Sequence, residues 1–347
     1  MRQKIYIGTS AEINFYFWGN KSSVLSPLSQ YASYLPCILS LFSKQTLSYL
    51  EGFEIYMIDC KKIFAKCRPA RKQIFISSLM LEFLWLSIYV NHKLSDAVNF
   101  GGNIERRRKI LLSADVLLAM RRCKELSQGK VVTWPNRYIP LPELHYDIRN
   151  FKHSDVASEI SLYSLGFIIL HELAHYFMFS CGEIEQGMHH ENMADESALS
   201  QYLDKESIEP SSFSTAFKKR VLSIVEVCSM FVFIDQVSLR NHSTHPSGIS
   251  RLQRLLESCK ETYAEYESKG LVTDDIDSVF GTIYLHASFN LYFYSQNIFG
   301  EHCDEIKTMR NELLEQSYDS PNELFLRLIN LYKAAYRKRM RVVRLRD

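Results

Sequence analysis

Five residues, His171-Glu172-Leu173-Ala174-His175, constrain this chain more than any other stretch. Residues four apart on an α-helix lie about 40° apart around its axis, so two imidazoles in HExxH share one face and can bind one metal ion. The segment must therefore be helical, with its histidine face open to a cleft. The surrounding LGFIILHELAHYFMF carries no charge except Glu172, which implies that the rest of the helix is buried. Sixteen residues after His175 come Glu191-Asn192-Met193-Ala194-Asp195, which offer a carboxylate and a second acid one turn later.

These residues match the needs of metal-assisted hydrolysis. Three protein ligands leave a zinc ion one open position, where a water's pKa falls to about 7. His171 and His175 are the first two candidate ligands. Glu172 lies about 100° round the helix from His171, so it flanks the metal and can act as general base. A metzincin would continue HExxHxxGxxH, but Met178 and Cys181 stand at the glycine and final histidine positions. Glu191 is the best third ligand, and Asp195 on the same helix face can accept the free ring N–H of a metal-bound histidine. His189 and His190 compete as ligands. Small Ala194 and Ala198 would let the second helix approach the first closely.

At 347 residues and 46% hydrophobic content the chain can bury at least one full core. A net charge of +2 argues against nucleic acid as the main partner. Lys333, Arg337, Lys338, Arg339, Arg341, Arg344 and Arg346 crowd the C-terminus, a pattern read as a solvated helix face or tail. Eight cysteines form no CxxC pair, and the N-terminus lacks a continuous apolar signal segment. Reduced thiols and a cytoplasmic location are expected. The apolar runs 74–90 and 221–237 are interrupted by Glu82 and by Glu226 and Asp235. A carboxylate at mid-bilayer costs several kcal/mol, so both runs are read as buried helices, with membrane attachment as the alternative.

Along the chain, EINFYFW (12–18) and FEIYMI (53–58) read as strands, 28–50 and 74–92 as helices, and 68–72 as a basic turn. A charged helix is expected over 104–126. Residues 130–142, a short strand followed by prolines, are the expected sheet edge upstream of the HExxH helix. That helix should begin near Ser154 and end at Ser180-Cys181-Gly182. A second follows at 190–203, a third starts at Pro210, 241–248 is a loop, and the C-terminal hundred residues are mostly helical. The division is an N-terminal α+β region (1–150), a metal-binding core (151–260) and a helical C-terminal region with a basic tail (261–347).

A third element is Ser243-Thr244-His245-Pro246, with Arg251-Leu252 beginning five residues after the proline. HExxH, ExxAD and THPxxxxRL together resemble the gluzincin peptidases related to CaaX prenyl endopeptidases and the HtpX-like heat-shock proteases, over about residues 155–260. The resemblance implies His171, His175 and Glu191 as zinc ligands, Glu172 as catalytic base and Asp195 as the acid behind a ligand. It implies His245 as a transition-state stabiliser or a packing and capping residue, and Arg251 as a partner of Asp195 or of the Glu191 helix. Size and layout are also similar to the Lit-type phage-exclusion peptidases of bacteria, which act on a translation factor.

The expectation is an α+β, predominantly helical protein with a zincin-like core and a small sheet. Its function would be endopeptidase action on a protein or peptide with one catalytic Zn2+ ion, by direct attack of water and without an acyl-enzyme. The alternatives are a non-catalytic zinc-stabilised binding or toxin module and a membrane-associated peptidase. A fourth protein ligand from His189 or His190 would favour the former.

Overall fold

The computed structural model describes residues 2–10, 13–20, 35–58, 60, 62–99, 105, 109, 113–127, 153–183, 187–208, 213–238, 246–299, 304–315 and 317–344. Strands come first: β1 (Arg2–Ser10), β2 (Ile13–Asn20), β3 (Glu54–Ile58), β4 (Ala65–Arg68) and β5 (Gln73–Ser77) form one mixed sheet in the order β1-β2-β3-β5-β4. The β2–β3 and β3–β5 pairs are parallel, and the outer pairs β1–β2 and β5–β4 are antiparallel. A short helix, α1 (Lys44–Leu50), follows a 3-10 turn before β3. The longer helices are α2 (Ser78–Asn99), α3 (Ala114–Ser127), α4 (His153–Ser180), α5 (Met188–Tyr202), α6 (Phe213–Ser238), α7 (Gly248–Ser268), α8 (Ile276–Phe299), α9 (Asp304–Glu315) and α10 (Pro321–Arg344). The fold is α+β and predominantly helical, as the sequence implied.

One buried apolar cluster extends from Ile13 in β2 to Tyr332 in α10. Helix α4 is at its centre, packed against α2, α5 and α6, with strand β4 beside it. By length and composition Val156–Ser180 could cross a membrane, yet 83% of its most apolar window is buried within the fold. The acids that interrupt the other apolar runs have partners. Glu82 is paired with buried Arg122 at 2.6 Å. Glu226 accepts from Asn91 Nδ2 at 3.0 and 3.1 Å and lies 2.6 Å from His286 Nε2. Asp235 accepts the Gly248 amide at 2.7 Å. Both runs are core segments here, as buried carboxylates demand when no water can solvate them.

Two local expectations change. Residues 73–77 are strand β5, and the helix expected from 74 starts only at Ser78. Ile74, Phe75 and Ile76 are a run that fits either period, and the Ser77 hydroxyl then accepts the Met80 amide at 3.1 Å as helix cap. Of the helix expected over 28–50, residues 28–34 lie outside the described residues, and the rest is a 3-10 turn at Leu35–Leu41 followed by α1, because Ser43 caps a new start with its hydroxyl on the Thr46 amide. Of the charged helix expected over 104–126, the part from Ala114 is α3, and residues 110–112 lie outside the described residues. Residues 130–142 lie outside the described residues, and the strand that flanks α4 is β4.

Helix α7 crosses α6 with no room to spare at Gly248. A Cβ there would meet the Val232 nitrogen at 2.2 Å and the Phe231 carbonyl carbon at 2.6 Å. These neighbours are backbone and cannot rotate away. Gly248→Ala should cost about 1–3 kcal/mol, the usual penalty of overpacking. Chemical denaturation would measure it, and an unchanged midpoint would show that the crossing is looser than this.

Candidate metal centre

Helix α4 sets the site by its own period. His171 and His175 are one turn apart, with ring centroids 4.8 Å apart and planes at 89°. The helix ends at Gly182, which adopts φ +82°, while the Glu183 amide donates to the Met178 carbonyl at 3.0 Å. That glycine-centred cap turns the chain back towards α5. Ala174 of α4 and Ala194 of α5 are both buried in one small cluster with Met178, so the two helices touch closely where the site forms. Glu191 thereby arrives opposite both histidines.

The donor atoms converge. His171 Nε2 and His175 Nε2 are 3.2 Å apart, Glu191 Oε2 is 3.3 Å from the former, and Glu191 Oε1 is 3.5 Å from the latter. A tetrahedral zinc ion with ligand bonds of 2.0–2.1 Å separates its ligands by about 3.3–3.4 Å. The spacing fits such an ion, and the group could hold a metal. Its chemistry, two imidazoles and a carboxylate, suits zinc.

Behind this group lies a buried acid. Asp195, with no exposed surface, has Oδ1 3.0 Å from His171 Nδ1. Arg251 donates to Asp195 through Nε at 3.0 Å and also through Nη2, and Arg254 Nη2 adds a bond of 2.7 Å. The Arg251 guanidinium lies 4.6 Å over the Phe231 ring. The sequence raised Arg251 as a partner of Asp195, and the structure makes that pairing. Arg254 was missed, although its i,i+3 spacing from Arg251 places both on one face. His245 lies outside the described residues.

Electrostatics follow from burial and these neighbours. Burial opposes the charged imidazolium, yet bonds to Asp195 and Glu191 push His171 up to about 9. Burial and the nearby His171 charge push His175 down to about 4. Glu191 would rise on burial, but the His171 bond and nearby cations bring it to about 2. Burial lifts the Glu172 carboxyl to about 7 against the pull of His171, and the Cys67 backbone amide donates to it. That amide belongs to β4, so the sheet edge and the acid beside the metal group are directly linked. Burial and the Glu172 charge raise the Cys67 thiol to about 12, leaving it protonated and unreactive.

The group opens into a cleft of about 700 Å³, walled by Phe64, Lys66 and Cys67 near the sheet edge and by Met80, Phe167 and Phe231 from the helices. Glu172, His190 and Arg251 also line it. His189 is exposed, whereas His190 is stacked beside His175 with centroids 5.3 Å apart and planes at 21°. His190 is outside the three-residue donor group. No curated protein and no solved structure matches the chain. A family model does: Peptidase U49 matches residues 74–267, a span that begins just before α2, covers α4 and α5 with the whole donor group, and ends at the foot of α7. With more than half of its 347 residues matched, the chain belongs to the Peptidase U49 family.

Proposed function

We propose that this chain is a zinc-dependent endopeptidase. The observation that carries this reading is the spacing of His171, His175 and Glu191, with Glu172 beside them in an open cleft. When bound there, zinc would polarise a substrate carbonyl and lower the pKa of a water towards about 7. Glu172 takes a proton from the attacking water at its carboxylate and delivers it to the leaving amide nitrogen. The Cys67 amide holds that carboxylate in place. Asp195 holds His171 in the tautomer that presents Nε2, and Arg251 and Arg254 hold Asp195. The peptide lies in the cleft alongside β4. A non-catalytic zinc module would need a fourth protein ligand, and among the described residues the donor group has three.

The finer assignment rests on layout. Peptidase U49 is the family of the Lit-type peptidases, which supports that resemblance over the CaaX and HtpX-like one. We therefore place the substrate among cytoplasmic proteins and the activity among phage-exclusion or stress responses.

Metal removal tests the proposal. Purified protein should hold about one zinc per chain, and mapping new peptide termini in a treated lysate should reveal cleavages. Chelation should abolish them and added zinc restore them. Zinc affinity should also weaken as pH falls below about 9, because the proton held by His171 must leave before its Nε2 can bind. Cleavage that persists in the chelated protein would sink the assignment.

A further inference from the structure

We infer that His190 is a further catalytic residue of this cleft, donating from Nε2–H to the carbonyl oxygen of the scissile peptide bond. This rests on the peptidase reading above. His190 Nε2 is buried and has no hydrogen-bond partner among the described residues. Buried ring nitrogens are normally paired, so an unpaired one on a side chain that lines a cleft points to a partner supplied by what binds there. The side chain lines the same cleft as Glu172 and the three donor residues. Its ring is parallel to that of His175 with centroids 5.3 Å apart, and it precedes Glu191 by one residue in the first turn of α5. The turn that brings in the carboxylate therefore fixes His190 beside the group without adding it to the ligands.

The two arginines near the site are engaged elsewhere. Arg251 spends Nε and Nη2 on Asp195, and Arg254 spends its two terminal nitrogens on Asp195, Glu196 and the Asn192 carbonyl. His190 is thus a donor placed for the oxygen that gains charge as water attacks. Such donors act on the transition state more than on the bound substrate.

The test uses the full chain loaded with cobalt in place of zinc, with acetohydroxamate as the probe of the open position, read by visible absorption. His190→Phe keeps the flat ring and removes the donor, whereas His190→Gln keeps an N–H. Cobalt affinity should stay within about twofold in both. Acetohydroxamate binding should weaken about tenfold in His190→Phe and recover partly in His190→Gln. On a substrate found by terminus mapping, kcat should fall about 10²-fold in His190→Phe with little change in KM. Loss of cobalt from His190→Phe would make His190 a ligand, and unchanged probe binding and kcat would make it a packing residue; either overturns the inference. A wild-type chain that takes up no metal, or holds cobalt yet binds no acetohydroxamate, would overturn the peptidase reading itself.

Discussion

Glu172→Gln should leave the zinc content unchanged and slow hydrolysis about 10²- to 10⁴-fold, the contribution typical of a positioned general base. Glu172 is next to His171 on α4 but outside the donor group, so the metal does not depend on it. Its amide replacement has the same shape and can still accept the Cys67 amide. What it cannot do is take up a proton. The fold should not suffer either. The carboxyl is only 6% exposed and burial lifts it to about 7, so its charge is held at a cost that a neutral amide avoids. Stability equal to or above wild type is therefore expected. Elemental analysis, denaturation and single-turnover cleavage check the three parts. Full activity in Glu172→Gln would refute the mechanism, and lost metal would place Glu172 among the ligands.

Legibility in the sequence followed the range of each interaction. HELAH fixes its own geometry, because a helix converts a spacing of four into a shared face. Glu191 was readable for a similar reason: Gly182 ends α4, and Ala174 and Ala194 permit a tight return. The Arg251–Asp195 contact spans 56 residues, and it was readable only as one of two partners, through a resemblance. Other features carried no residue code. The amide that holds Glu172 is backbone, so nothing about the cysteine at position 67 advertises it. Strand β5 was hidden because Ile74-Phe75-Ile76 suits a buried strand as well as a helix, and only pairing with β3 and β4 decides between them. Gly248 is decided by the α6 backbone beneath it. His190 was weighed as a ligand, and the distinction between ligand and neighbour needs coordinates.

Arg251→Leu should destabilise the fold by about 3–5 kcal/mol, the scale set by breaking a buried pair from one side. Asp195 has no exposed surface, and Arg251 itself is 5% exposed. Arg254 would remain with a single bond to the acid, from a side chain that is 27% exposed. The leucine would therefore leave most of a buried negative charge uncompensated. Removing the charge as well tests this cause directly. In Arg251→Leu with Asp195→Leu the loss should be smaller than the two single losses added together, because neither partner is then left alone. The pH dependence has a definite sign. Burial would raise the Asp195 carboxyl, but the Arg251 charge and the His171 bond hold it well below the ordinary carboxylate range. Its stabilising effect is therefore fully present above the unfolded value of about 3.9 and is lost as pH falls through the depressed one. The gap between wild type and Arg251→Leu should narrow only in strong acid. Zinc affinity should weaken about 10- to 100-fold, as it does when the partner behind a metal-bound histidine is disturbed. If stability fell while zinc affinity held, Asp195 would be bracing the α5–α7 contact without orienting His171, and the chain of support from Arg251 to the metal would end at the carboxylate.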